Sequence, residues 1–191
     1  HLRISKNDLL ILASKLFNRE FEESIDLSTQ TGTVFGSQVT LDSHNVIAVA
    51  KDSLGLYHVS GDMHAVPLKY MRSAPVGSTT SWTTGMVGTE ETNATYPQFI
   101  KAKSGNLYFW FRTGFSGDGD WILNKWSITT QTWTRVATVL QGTVENVSAY
   151  PQNVAVDKIT GRWHVLLTIR KDFSSDAENE NIYYAYSDNE G

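Results

Sequence analysis

The chain has 191 residues, 40% of them hydrophobic and 12% aromatic, with no Cys and with 16 basic against 20 acidic side chains. The lack of Cys excludes disulfide scaffolds, thiol catalysis and Cys-based zinc sites, and a net charge of −4 argues against a nucleic-acid partner, which would require a strongly basic face. No stretch approaches the roughly 18 apolar residues of a membrane span, and the first residues lack the pattern of a signal peptide.

In chain order, residues 10–17 and 20–27 read as a hairpin turning at Asn18-Arg19, although Leu9, Leu12, Leu16, Phe17 and Phe21 also fit helical spacing. Three longer units with one layout follow. The first runs from His44-Asn45-Val46-Ile47 to Gly55-Leu56-Tyr57-His58, the second from Tyr96-Pro97-Gln98-Phe99 to Gly105-Asn106-Leu107-Tyr108, and the third from Tyr150-Pro151-Gln152-Asn153 to Gly161-Arg162-Trp163-His164. Their turn glycines are 50 and 56 residues apart. In each unit apolar residues alternate, break at a turn and alternate again, which predicts a hairpin of half-buried strands. A third strand is expected at 67–72, 121–127 and 181–187, and Trp82 and Trp133 mark a fourth in the first two units. Four short strands recurring at this period predict an all-β chain, a β-propeller of four-stranded blades in a partial ring of three to four blades. The expected divisions are a partial blade or lead-in at 1–41 and blades at 42–90, 91–146 and 147–191, all of one propeller domain.

Strands one and two of a blade are antiparallel, so residues equally far before and after the turn stand at one end of the hairpin. That rule pairs His44 with His64, Tyr96 with Arg112, and Tyr150 with Arg170. Blades are related by rotation about a central axis, so these six side chains are expected to gather at one rim. Clustered titratable groups in a cleft are site candidates. The set suits β-elimination from a uronic acid, which needs a cation for the carboxylate, a base for the carbon-bound proton and an acid for the leaving oxygen. Arg112 is the expected carboxylate clamp, and its charge is expected to lower the pKa of a nearby Tyr toward that of a usable base. No pair of carboxylates falls in the set, which counts against a two-carboxylate glycosidase. The turn Ser116-Gly117-Asp118-Gly119-Asp120-Trp121 lacks the full spacing of a calcium loop and reads as a tight turn. The proposed chemistry needs no cofactor and no metal ligand is assigned, with a structural Ca²⁺ or other ion left as an open alternative. His58 and His164 read as packing residues, and 172–180 as a solvated acidic loop.

Asp42-Ser43-His44-Asn45, Ser60-Gly61-Asp62-Met63-His64, Thr95-Tyr96-Pro97, Phe111-Arg112-Thr113-Gly114-Phe115-Ser116-Gly117-Asp118-Gly119 and Asp176-Ala177-Glu178-Asn179 together resemble the neuraminidase-repeat propeller family that includes ulvan lyases. Ser187-Asp188-Asn189-Glu190-Gly191 resembles the start of an Asp-box and stops before its usual Thr-Trp, so the chain is expected to be a fragment whose remaining blades lie elsewhere. The resemblance implies a seven-bladed propeller, secreted or periplasmic, acting on an acidic polysaccharide. It implies a polysaccharide lyase that cleaves a rhamnose-uronate linkage, with His44, His64, Tyr96 and Arg112 catalytic and Asn45, Tyr150 and Arg170 contacting substrate. Tyr96 would be base and also acid, Arg112 with one His would neutralise the carboxylate, and the other His would assist proton transfer. The alternatives are a hydrolase releasing terminal rhamnose from glucuronate and a carbohydrate-binding propeller without catalysis.

Overall fold

The three turn glycines, Gly55, Gly105 and Gly161, have φ of 85°, 88° and 87°, a left-handed conformation that side chains with a Cβ rarely adopt. Each reverses the chain between two antiparallel strands, as the alternation in the sequence predicts. The computed structural model describes residues 42, 44–73, 86–171 and 179–190. The expected hairpin at 10–27, the strand at Trp82 and most of the acidic loop lie outside the described residues.

The described residues form three groups of strands. In the first, β1 (Ile47–Lys51), β2 (Tyr57–Gly61) and β4 (Tyr70–Arg72) pair in that order, while β3 (His64–Val66) turns away to pair with β5 (Ala94–Lys101) of the next group. The second is a full four-stranded blade of β5, β6 (Leu107–Phe115), β7 (Asp118–Ser127) and β8 (Thr132–Gln141), each antiparallel to its neighbour. A helical turn, Gly142–Glu145, leads to the third group. Its inner strand is broken into β9 (Ser148–Pro151) and β10 (Ala155–Val156), and both pair with β11 (Trp163–Arg170), which pairs in turn with β12 (Asn179–Ser187). One parallel pairing, Gly119 with Ser148, joins the second group to the third. This is the all-β, partial-propeller architecture expected from the repeat. Among the described residues, no helix is long and apolar enough to cross a membrane.

The central blade is buried on both faces, and the period of two along β6 shows why. Leu107, Phe109 and Phe111 face one cluster with Met63, Leu68 and Tyr70 of the first group and with Trp126 and Trp133. Tyr108 and Trp110 face the opposite cluster with Ile100, Trp121, Ala149, Trp163 and Leu167. A strand apolar on both faces must be covered twice, and each neighbouring group covers one face. Burial of each large side chain contributes about 1.5–3 kcal/mol, so the aromatic filling between groups fixes how they stack.

One polar bolt crosses the first of these interfaces. Asp52, in the β1–β2 turn, accepts hydrogen bonds from the backbone N–H groups of Leu54 and Leu56 at 2.9 Å and from the Trp126 indole of the next blade at 3.0 Å. His58, fully buried, approaches the same carboxylate at 3.3 Å through Nε2 and the Tyr70 hydroxyl at 2.7 Å through Nδ1. Burial pushes the His58 pKa down, with the Asp52 hydrogen bond opposing it, so the ring is packed as the neutral imidazole. It is a packing residue, as expected from its place in the alternation.

Candidate functional site

The β1–β2 register pairs Ile47 with Gly61, and continuing it outward places His44 beside His64. Their rings stack with centroids 4.2 Å apart. Asp42 holds both, because one of its carboxylate oxygens accepts from His44 Nδ1 at 2.6 Å and the other from His64 Nδ1 at 2.5 Å. With each Nδ1 engaged by Asp42, each Nε2 is left for another partner. The hydrogen bonds from His44 hold the Asp42 carboxyl well below the usual carboxylate range. Asp42, His44 and His64 also place three ligand atoms within 4.8 Å of one another, a donor set of the kind that holds a divalent transition metal.

Tyr96 lies 6.1 Å from His44, centroid to centroid. It sits in a bulge of β5, where the register with β6 shifts between Thr95 and Gln98, and its φ is 56°. A left-handed tyrosine immediately before a proline costs on the order of 1–3 kcal/mol, and the bulge re-aims the ring toward the rim. Two further residues at this end, Asp62 and Ala65, share the left-handed conformation, with φ of 55° and 51°.

Arg112, beside Thr95 on the central strand, is 1% exposed, yet its Nε and Nη1 find no acceptor among the described residues. Its guanidinium packs against two phenol rings, 5.1 Å from the centroid of Tyr96 and 5.5 Å from that of Tyr150. Those two rings meet edge to face at 6.2 Å. Gly119 makes room for this arginine, since a Cβ there would stand 2.9 Å from Arg112 Cδ and 3.0 Å from the carbonyl oxygens of Thr113 and Phe115. The Gly119→Ala variant is therefore expected to displace Arg112 and to destabilise the protein by about 1–3 kcal/mol. A urea-unfolding midpoint unchanged from wild type would show that the neighbours give way.

Tyr150 completes the array from the third group. Its hydroxyl lies 2.8 Å from Ser116 Oγ, and Arg170 Nη1 donates to that same Oγ at 2.7 Å. The expected pairing of Tyr150 with Arg170 is corrected by two residues: Tyr150 pairs with Thr168, and Arg170 with Ser148. The break between β9 and β10 offsets the register relative to the hairpin turn. Both side chains still reach one place because a shift of two preserves the face. Asn45 is half-buried next to His44, with its backbone N–H donating to the Asp42 carbonyl at 3.0 Å.

The two phenols differ in chemistry. Burial raises the pKa of Tyr96 and outweighs the opposing charge of Arg112, contrary to the expected lowering. Burial acts the same way on Tyr150, but hydrogen bonds to Ser116 and Arg170 and the charges of Arg112 and Arg170 reverse it, leaving that pKa below the ordinary value. Asp42 and Ser116 are the array members that counting about the turns missed. Asp42 stands two residues before His44, and Ser116 lies in the turn after β6, beyond the reach of the counting rule. Asp120 of that turn accepts from Thr143 N–H and hydroxyl.

The solved structure of polysaccharide lyase Uly1 superposes with a TM-score of 0.63 at 22% identity, over 77% of this chain and 40% of that one. The PL25 ulvan lyase bound to GlcA(1-4)Rha3S gives 0.58 at 17%, over 76% and 38%. Another structure of a PL25 ulvan lyase gives 0.53 at 19%, over 68% and 33%. These likenesses show the fold, and the chain spans 40% or less of the length of each of these structures. No curated protein matches the chain significantly. Residues 6–191 match the BNR repeat-containing family, and the chain belongs to that family.

Proposed function

We propose that the array belongs to a polysaccharide lyase that cleaves a rhamnose-uronate linkage of an acidic polysaccharide by β-elimination. The observation that carries this reading is Arg112, a buried cation without an acidic partner among the described residues, packed against two phenols, one of which neighbours the anchored His44. A buried charge of this kind is costly unless a ligand supplies the counter-ion, and a uronate carboxylate fits a guanidinium by two parallel hydrogen bonds. Neutralising that carboxylate acidifies the C5–H bond next to it, because charge that develops there in the transition state spreads onto the carboxylate.

Tyr96 keeps its proton at neutral pH, which suits it to protonate the leaving oxygen rather than to take the C5 proton. Asp42 holds Nδ1 of His44 and His64, so an imidazolium at either position donates Nε2–H, one to the uronate carboxylate and the other to the leaving oxygen. The likeness of the fold to lyases of uronate polysaccharides supports the same reading. The test is incubation of the full-length protein with ulvan and with rhamnose-capped glucuronate oligosaccharides. Rising ultraviolet absorbance from an unsaturated uronate is the expected result. Free rhamnose without that absorbance would overturn the lyase in favour of a hydrolase, and binding with neither product would leave a carbohydrate-binding module.

A further inference from the structure

Elimination requires a base for the C5 proton, and Tyr96, the residue the family resemblance implies for it, is held protonated by its burial. Tyr150 is placed differently. An arginine only donates, so Arg170 Nη1–H points at Ser116 Oγ, and the Ser116 hydroxyl hydrogen is then free to point at the Tyr150 oxygen. Every hydrogen of the relay can be directed toward the phenol, the arrangement that solvates a phenolate. Among the groups facing Tyr150 from the neighbouring elements, the Arg112 charge has the same effect. From β6, Arg112 lies 5.5 Å from its ring; from β5, Tyr96 lies edge to face; from the β6–β7 turn comes Ser116, and from β11 Arg170.

We infer that Tyr150, held by the Ser116–Arg170 relay, is the residue that takes the C5 proton, with Ser116 and Arg170 as positioning residues. This rests on the lyase reading above. The C5–H bond breaks as its proton passes to the Tyr150 phenolate oxygen. The electron pair left on C5 forms the C4–C5 double bond while the C4–O4 bond breaks, and the departing O4 takes the proton of Tyr96. Tyr150 then returns its proton to solvent and Tyr96 is reprotonated from it, so no oxidant, reductant or water molecule is consumed. The imidazoles stay with the carboxylate and the leaving oxygen. A contact residue for sugar thus becomes a reacting one.

The ionisation is measurable without substrate. Tyrosinate absorbance of the full-length protein is followed against pH in wild type and in Tyr150→Phe, Tyr96→Phe, Ser116→Ala and Arg170→Met. One tyrosine is expected to titrate ahead of the rest. That early phase should vanish in Tyr150→Phe, persist in Tyr96→Phe, and move upward by about half a pH unit or more in Ser116→Ala and Arg170→Met. Arg170→Lys, which keeps the charge, should restore part of the shift. In turnover, Tyr150→Phe is expected to lose about 10²–10⁴-fold in kcat. The acid limb of kcat/KM should move upward in Ser116→Ala by the same amount as the tyrosine titration, which a merely structural role would not produce. An early phase that survives in Tyr150→Phe, or lyase turnover near the wild-type rate in that variant, overturns the assignment while leaving the lyase reading intact. Absence of any unsaturated product from wild type, with the early Tyr150 titration present, overturns the lyase reading and leaves the relay standing.

Discussion

Replacing Arg112 by Met is expected to lower kcat/KM on a uronate polysaccharide by about 10²–10³-fold or more, the loss that follows removal of a donor aimed at developing negative charge. The same change is expected to leave folding stability unchanged or slightly raised. Arg112 is 1% exposed, and two of its nitrogens lack acceptors among the described residues, so its burial costs stability unless an anion meets it. A methionine of similar length packs against the same rings of Tyr96 and Tyr150 without the charge. Opposite movement of activity and stability is the mark of a group kept for its ligand. Urea unfolding alongside steady-state kinetics checks this. A variant that loses stability but retains turnover would assign Arg112 to packing instead.

The largest stability effect is expected at Asp52. Removing its carboxylate in Asp52→Ala strands the N–H groups of Leu54 and Leu56 in the turn and the Trp126 indole across the blade interface. It also leaves His58 Nε2 facing a void. Several buried donors without acceptors place the cost at about 3–5 kcal/mol, and Asp52→Asn, which keeps one acceptor oxygen, should lose about half of that. A urea midpoint for Asp52→Ala within experimental error of wild type would show that the bolt does not join the blades. The same cluster gives a pH signature. The folded-state pKa of His58 lies below its unfolded value of about 6.5. The unfolded chain therefore binds more protons as pH falls below about 6.5, and His58's contribution to stability, complete above that pH, declines as the solution is acidified. Stability measured from pH 8 to 5 should fall less steeply in His58→Gln than in wild type.

The repeat made most of the fold legible. Gly55, Gly105 and Gly161 mark real reversals with positive φ, and the double alternation of β6 encodes a strand covered on both faces. Counting outward from those glycines also brought His44 to His64, because an uninterrupted hairpin keeps its register with distance from the turn. Tyr96 and Arg112 also meet, but the bulge shifts the register by one and pairs Arg112 with Thr95. The same rule slipped by two residues for Tyr150 and Arg170, where the inner strand is interrupted. Such interruptions are backbone events with no periodic trace. Asp42 and Ser116 were illegible for another reason. Each acts through side-chain contacts that join chain segments far apart, 22 residues from Asp42 to His64, and 34 and 54 from Ser116 to Tyr150 and Arg170. The opposite pKa directions of Tyr96 and Tyr150 were also hidden, since both read as a Tyr-Pro-Gln at the mouth of an inner strand. Burial against hydrogen bonding separates them, and only the folded arrangement shows which prevails.

The central claim is that this rim breaks its bond by elimination. The most direct measurement is mass spectrometry of the products formed by the full-length protein from ulvan in heavy-oxygen water. Elimination draws no oxygen from solvent, so the predicted products carry none of the label and one of each pair is lighter than its hydrolysis counterpart by a water molecule. Label in the newly formed end would show that water attacked the linkage, and would contradict the assignment of Arg112, Tyr96 and Tyr150 to β-elimination.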